Sequence, residues 1–317
     1  MSVSFLDEKT LERRLRALGW FWFDPMSRYE RRRRAGSEPP LTAIIGQKPD
    51  GAIERVRAAN STAGRMLLMA EHDALAKARH EHLAAHRWTG IYKNRLFVAT
   101  SWLQPPDETQ APIPLLQLLR QIASAARGVA ALHDAGLVHG DLKPSTILRD
   151  KDRALVVDLK LARAPGPRPD ASYSPKYAAP EQILEQHVGA QADVYALGVT
   201  LYELFIRNRF PTLLRASPAR RGPPGPQQNV AEPLSAITSI GEFMNPGAPR
   251  SDNNEDAIVG GKVMFRSQLA NVVVGVQHAE RMGAVLEVIR RACDMNPARR
   301  YADAGGFAAA LERLCKD

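Results

Sequence analysis

Between positions 114 and 136, PLLQLLRQIASAARGVAALHDAG sets Leu115, Leu118, Leu119, Ile122, Val129 and Leu132 mostly three or four residues apart or multiples of that, which predicts one long helix. Gly136 suits its C-terminal stop. Roughly helical spacing of Leu6, Leu11, Leu15 and Leu18 predicts a helix over 6–18, and Met66, Leu67, Met69, Leu75 and Ala78 predict one over 64–79. LTAII, the turn-rich GQKPDG and AIERVRA read as a β-hairpin. RLFVATSWL reads as a strand followed by a linker-like break, QPPDETQAP, and RALVVDL as a short strand apolar on both faces. AQADVYALGVTLYELFI, AERMGAVLEVIRRAC and ADAGGFAAALERLC predict helices, so the second half is mainly helical. Residues 207–265 are rich in Pro, Gly, Arg, Asn and Asp and take no assignment, and WFWF (Trp20 to Phe23) reads as core or docking surface.

The 317 residues suffice for one large domain or two lobes sharing a core, and 44% hydrophobic content is ordinary for a soluble protein. No run reaches the ~18 apolar residues of a membrane span. The charged opening MSVSFLDEKTLERRLRALGW is unlike a secretory signal, so a cytoplasmic location is expected. Two cysteines, Cys293 and Cys315, read as packing thiols in a reducing compartment. The net charge of +9 is densest at Arg31 to Arg34. That run reads as a solvated segment, or else as a patch for nucleic acid, acidic lipid or an acidic protein. With no interleaved aromatics and no helix-turn-helix, zinc-finger or RNA-recognition motif, there is no specific nucleic-acid signature. Oligomeric state is not legible.

The chemistry sits in LVHGDLKPSTIL, residues 137–148, where a His, an Asp and a Lys fall within five positions between apolar anchors. Charged groups so placed are costly unless paired or used. HGDLKPSTIL resembles the catalytic loop of the protein kinase family, H-R-D-L-K-P-x-N. Further on, VVDLKLAR resembles the metal-binding D-F-G strand and turn, and YSPKYAAPE, with Ala179-Pro180-Glu181, the A-P-E end of the activation segment. DVYALGVTLYEL resembles the helix whose Asp, here Asp193, holds the catalytic loop. NPARRYADA resembles the late segment whose arginine, here Arg300, partners Glu181. Five motifs in order cover residues 112–317.

The resemblance implies an α+β, bilobal protein-kinase-like fold with a small β-rich N-lobe and a larger, mainly helical C-lobe. Its expected boundaries are a helical and basic extension at 1–36, the N-lobe at 37–103, a hinge and linker at 104–111, and the C-lobe at 112–317 with an insertion at about 207–265. ATP and Mg²⁺ are the implied cofactors, and a protein substrate or protein partner is implied. Asp141 would orient the acceptor hydroxyl, Lys143 would steady the transferred phosphoryl group, and Ser174 would contact both. Asp158 would hold Mg²⁺, with Thr146 at the place of the second metal ligand. In the N-lobe, Glu71 falls at the ion-pairing glutamate and Thr100 at the gatekeeper, with Trp102 and Leu103 following in the hinge. Arg55 or Arg57 takes the place of the phosphate-binding lysine, and nothing in the sequence separates the two. Gly46 to Gly51 reads as a hairpin turn or as a worn glycine-rich loop, with Leu18-Gly19 as another remnant of that loop.

The departures are specific. Thr146 stands where the family has asparagine, Lys160 replaces the glycine of D-F-G, and Gly140 replaces the arginine before Asp141. The first weakens a second metal site. The second is expected to restrict the turn, since glycine reaches backbone conformations that lysine adopts less readily. The third argues against switching by activation-loop phosphorylation. Pro165, Pro167 and Pro169 suggest a fairly fixed segment. Three functions follow: a divergent serine/threonine protein kinase, a pseudokinase binding a nucleotide or partner, and a small-molecule kinase on the same scaffold.

Overall fold

The computed structural model describes residues 5–17, 40–47, 51–103, 113–168, 173–209 and 276–316. The WFWF cluster, the Arg31 to Arg34 run, Leu18-Gly19, the linker after Leu103 and nearly all of the 207–265 insertion lie outside them.

The N-lobe is a five-stranded sheet with a helix on each face. The predicted hairpin is β2 (Leu41–Gln47) and β3 (Ile53–Ala59), antiparallel, with Gly46 opposite Glu54 inside the ladder. Gly46 therefore belongs to a strand, which favours the hairpin reading over the worn glycine-rich loop. β5 (Arg95–Ser101) pairs with β3, and β4 (His86–Tyr92) with β5. Sequence periodicity gave no sign of β4, because its pairing shifts register between His86 and Trp88 and Gly90 interrupts its apolar run. Helix α2 (Thr62–Lys77) is N-capped by Ser61, whose hydroxyl accepts from the Gly64 amide at 3.1 Å.

Residues 5–17 belong to this lobe. β1 (Phe5–Leu6) pairs in parallel with β4, giving the order β1-β4-β5-β3-β2. α1 (Glu8–Ala17) buries Leu11 and Leu15 completely in a cluster with Ile44, Val56, Trp88 and Phe97. Burial of two leucines contributes about 1.5–3 kcal/mol each. The expected 1–36 extension thus divides: its helix is structural, and its basic run lies outside the described residues.

The C-lobe is built around α3 (Leu115–Asp134), whose apolar stripe is buried as predicted. Gly136, at φ +72°, ends it, and the Leu137 amide closes back on the Leu132 carbonyl at 2.9 Å. Around α3 lie the hairpin β6 (Ile147–Asp150) and β7 (Arg153–Val156), then α5 (Ala190–Arg209), α6 (Val276–Ala292) and α7 (Ala304–Leu314). Arg127 clasps Glu312 across α3 and α7 with two hydrogen bonds of 2.8 and 2.6 Å. Short pieces complete the lobe: β8 (Gly166–Pro167) pairs with β9 (His187–Val188), and α4 (Pro180–Ile183) lies between them in sequence. Cys293 is a fully buried packing thiol, and burial pushes its pKa up to about 12. This is the α+β, two-lobed arrangement that the motifs implied.

Candidate active site

The loop between α3 and β6 is held from behind. The Asp193 carboxylate on α5 accepts from the His139 amide at 2.7 Å, the Gly140 amide at 2.8 Å and the His133 ring at 3.0 Å. Burial opposes its charge, but His133, His139 and the Gly140 amide outweigh burial and keep its pKa below the ordinary value. The buried His139 ring accepts from the Asp141 amide through Nδ1 and faces the Val157 carbonyl through Nε2, which fixes the Nε2–H tautomer. Gln182 donates to the Gly140 carbonyl at 3.0 Å. Gly140 itself sits at φ +76°.

Ahead of this frame stand the three residues assigned to transfer. Lys143 Nζ donates to Asp141 Oδ2 at 2.7 Å and to Ser174 Oγ at 2.7 Å. Asp141 Oδ1 is buried and has no hydrogen-bond partner. Asp141, Leu142, Tyr173, Ser174, Tyr177 and Ala178 line a shallow hollow there. A carboxylate oxygen left without a partner, next to an ammonium and beside a hollow, has the chemistry to accept a hydrogen bond from a hydroxyl.

The other half of the cleft comes from the N-lobe and the turn after β7. Arg55 and Arg57 are two apart on β3, so they share a face. Only Arg57 reaches Glu71 of α2, with which it forms a buried ion pair. Arg57 Nη1 also donates to Asp158 Oδ1 at 2.6 Å. Arg55 instead lies over the Trp102 ring, 4.9 Å from its centroid. Thr100, opposite Arg55 in the β3–β5 ladder, is buried, and Leu103 is half-buried at the exit of β5. Glu71 Oε1 accepts the Leu159 amide at 3.2 Å, tying α2 to the turn.

Asp158 is where sequence and structure part. Its φ of +71° is left-handed. Its second oxygen, Oδ2, accepts from Lys160 Nζ at 2.6 Å. Burial acts against the carboxylate's charge, yet Lys160, Arg57 and Arg55 together hold its pKa well below the usual range. Lys160 takes its place in the turn without a left-handed backbone, which Asp158 adopts instead. Thr146 is expected at the place of the second metal ligand. Its buried hydroxyl accepts from the Lys143 amide and donates to the Lys143 carbonyl, both at 3.0 Å, and so braces the loop.

As arranged, the residues expected to hold Mg²⁺ leave it no uncommitted oxygen. In a nucleotide site this ion keeps several waters and takes one or two carboxylates together with substrate phosphates. Asp158 has both oxygens committed to cations, and the Thr146 oxygen is spent on backbone.

Two further residues matter that motif reading did not find. Arg168 is fully buried and donates to the Leu161 carbonyl at 3.2 Å and the Val138 carbonyl at 2.9 Å, with its guanidinium in the space a Cβ on Gly140 would take. Its only sequence signal was an arginine inside a proline-rich run. Lys160 was seen as a missing glycine, not as a new cation. The Glu181–Arg300 pair forms as expected, with bonds of 2.7 and 2.9 Å.

A family model described as the protein kinase domain matches residues 59–217, half of the chain. Among curated proteins, the chain is 32% identical over 108 residues to serine/threonine-protein kinase pkn2 of Myxococcus xanthus, covering 30% of this chain and 13% of that protein. It is 40% identical over 101 residues to the probable serine/threonine-protein kinase PBL18 of Arabidopsis thaliana, covering 29% and 26%. It is 31% identical over 185 residues to the Arabidopsis receptor-like kinase TMK4, covering 50% and 20%. The chain spans about a quarter or less of the length of these relatives.

Proposed function

Because this chain belongs to the protein kinase family, we propose that it is a divergent serine/threonine protein kinase that transfers the ATP γ-phosphate to a protein hydroxyl. The observation that carries this reading is the Asp141–Lys143–Ser174 constellation, with one carboxylate oxygen left to accept. In the proposed step Asp141 Oδ1 accepts the hydrogen bond of a serine or threonine hydroxyl and aims its oxygen at the phosphorus. The new O–P bond forms as the bond to the ADP oxygen breaks, and the hydroxyl proton passes to the carboxylate. Lys143 stands beside Asp141 as a positive charge for the moving phosphoryl group. Arg57, set by Glu71, takes the place of the phosphate-binding lysine. Magnesium is given no role in this step.

A second reading has its own observation. The commitment of both Asp158 oxygens to cations favours a pseudokinase that keeps the kinase shape to bind a partner. One experiment separates the two. Purified chain is incubated with labelled ATP and a generic acceptor protein at stoichiometric amounts, in Mg²⁺, in Mn²⁺ and in EDTA. Transfer is expected, and Asp141→Ala is expected to lower it by about a hundredfold or more. No incorporation in any condition would remove the kinase reading and leave the scaffold.

A further inference from the structure

The cations around Asp158 have a consequence for what the cleft binds. Arg57 and Lys160 balance Glu71 and Asp158, so the buried cluster is neutral as it stands, and Arg55 adds a further charge beside it. A divalent ion placed at Asp158 would have to displace an ammonium at 2.6 Å and would then sit beside a guanidinium. Lys160 Nζ has three donors and uses one, on Asp158 Oδ2, and its side chain is 21% exposed. Two donors are left for oxygens arriving from the cleft. Lys143 adds a second ammonium on the catalytic side, fixed by Asp141 and Ser174.

We propose that the cleft binds a nucleoside triphosphate without a divalent metal, with the Lys160 ammonium on Asp158 standing where a metal ion would bridge carboxylate and phosphate. The inference rests on the reading that this cleft takes ATP, and it names the cation that accompanies it. Charge on the phosphates is met by Lys160, Arg57 and Lys143, all built into the chain. Lys160 lies two residues after its anchor, so the bridge is local and needs no ordering of a distant segment.

The test is ATP binding to the full chain by calorimetry, in EDTA and in excess Mg²⁺, with adenosine as a ligand lacking phosphates. ATP is expected to bind in EDTA, with Mg²⁺ changing affinity by no more than about twofold. Adenosine is expected to bind at least tenfold more weakly. Lys160→Met is expected to weaken ATP binding in EDTA by about tenfold or to make it depend on Mg²⁺. Its circular dichroism and melting curve show whether it folds, and Lys160→Arg, which keeps the charge, is expected to restore metal-free binding. Wild-type binding that requires Mg²⁺ would overturn the proposal, as would absence of ATP binding in both buffers or an unchanged Lys160→Met. The transfer assay reads the kinase function separately. Metal-free binding without transfer removes that function and leaves this inference, and metal-dependent binding with transfer does the reverse.

Discussion

Gly140 shows how one residue can be read twice. In the sequence it is a missing arginine. In the structure it is a position at φ +76° whose missing Cβ makes room for the guanidinium of Arg168, twenty-eight residues later. A side chain there would suffer twice: left-handed backbone costs about 1–2 kcal/mol, and the Cβ would overlap Arg168. Gly140→Ala is therefore expected to lower unfolding free energy by about 2 kcal/mol or more in a denaturant titration. Gly140→Ala with Arg168→Ala should cost less than the two single changes summed, because the overlap is removed once. Additive losses would show that the two do not share the space. Asp141 and Lys143 were legible as positions because one contiguous motif holds both, whereas the motif at Asp158 gave the position but not its partner Arg57 on β3. Arg168 was not, since only folding brings it to the loop. The choice between Arg55 and Arg57 stayed open for another reason: they face the same side, and only the reach of Glu71 from α2 separates them.

Between elements, the joint of α2 and β4 is a small polar core. His72 Nδ1 and His86 Nε2 both bond the buried Thr89 hydroxyl, at 3.0 and 2.8 Å. The hydroxyl donates to one ring and accepts from the other, so both rings are served when neutral. Burial, with the nearby His72 and Arg79, brings the pKa of His86 down to about 4. The unfolded chain binds this proton near pH 6.5. Between those values the unfolded state holds the extra proton, so stability is full above about 6.5 and falls as pH drops towards 4. Melting temperature is expected to fall across that window, and His86→Phe to flatten the dependence. An unchanged slope in the variant would assign the effect to other groups. The long helices were legible as elements because a 3.6-residue period repeats over several turns. β4 was hidden by its bulge, and β1 by being two residues long.

The whole molecule is two lobes joined where Arg57 of the sheet meets Asp158 of the lower turn, and where Glu71 of α2 takes the Leu159 amide. The described part of the larger lobe was legible because its motifs and its helices mark the same segments, whereas residues 207–265 took no assignment. The smaller one was legible only in part, because its roof is assembled from pieces far apart in sequence. The match to the family begins at residue 59, whereas the sheet begins at Phe5. Those first residues act as a cover: they occupy the hydrogen-bonding rim of β4 and lie across an oily surface containing Trp88 and Phe97. A protease cut just ahead of Pro40, with loss of the fragment, would strip both away. The remaining body would carry a bare strand margin and a greasy roof, two surfaces that stick to copies of themselves. Light scattering on the nicked protein should then report growing particles where the uncut chain gives none.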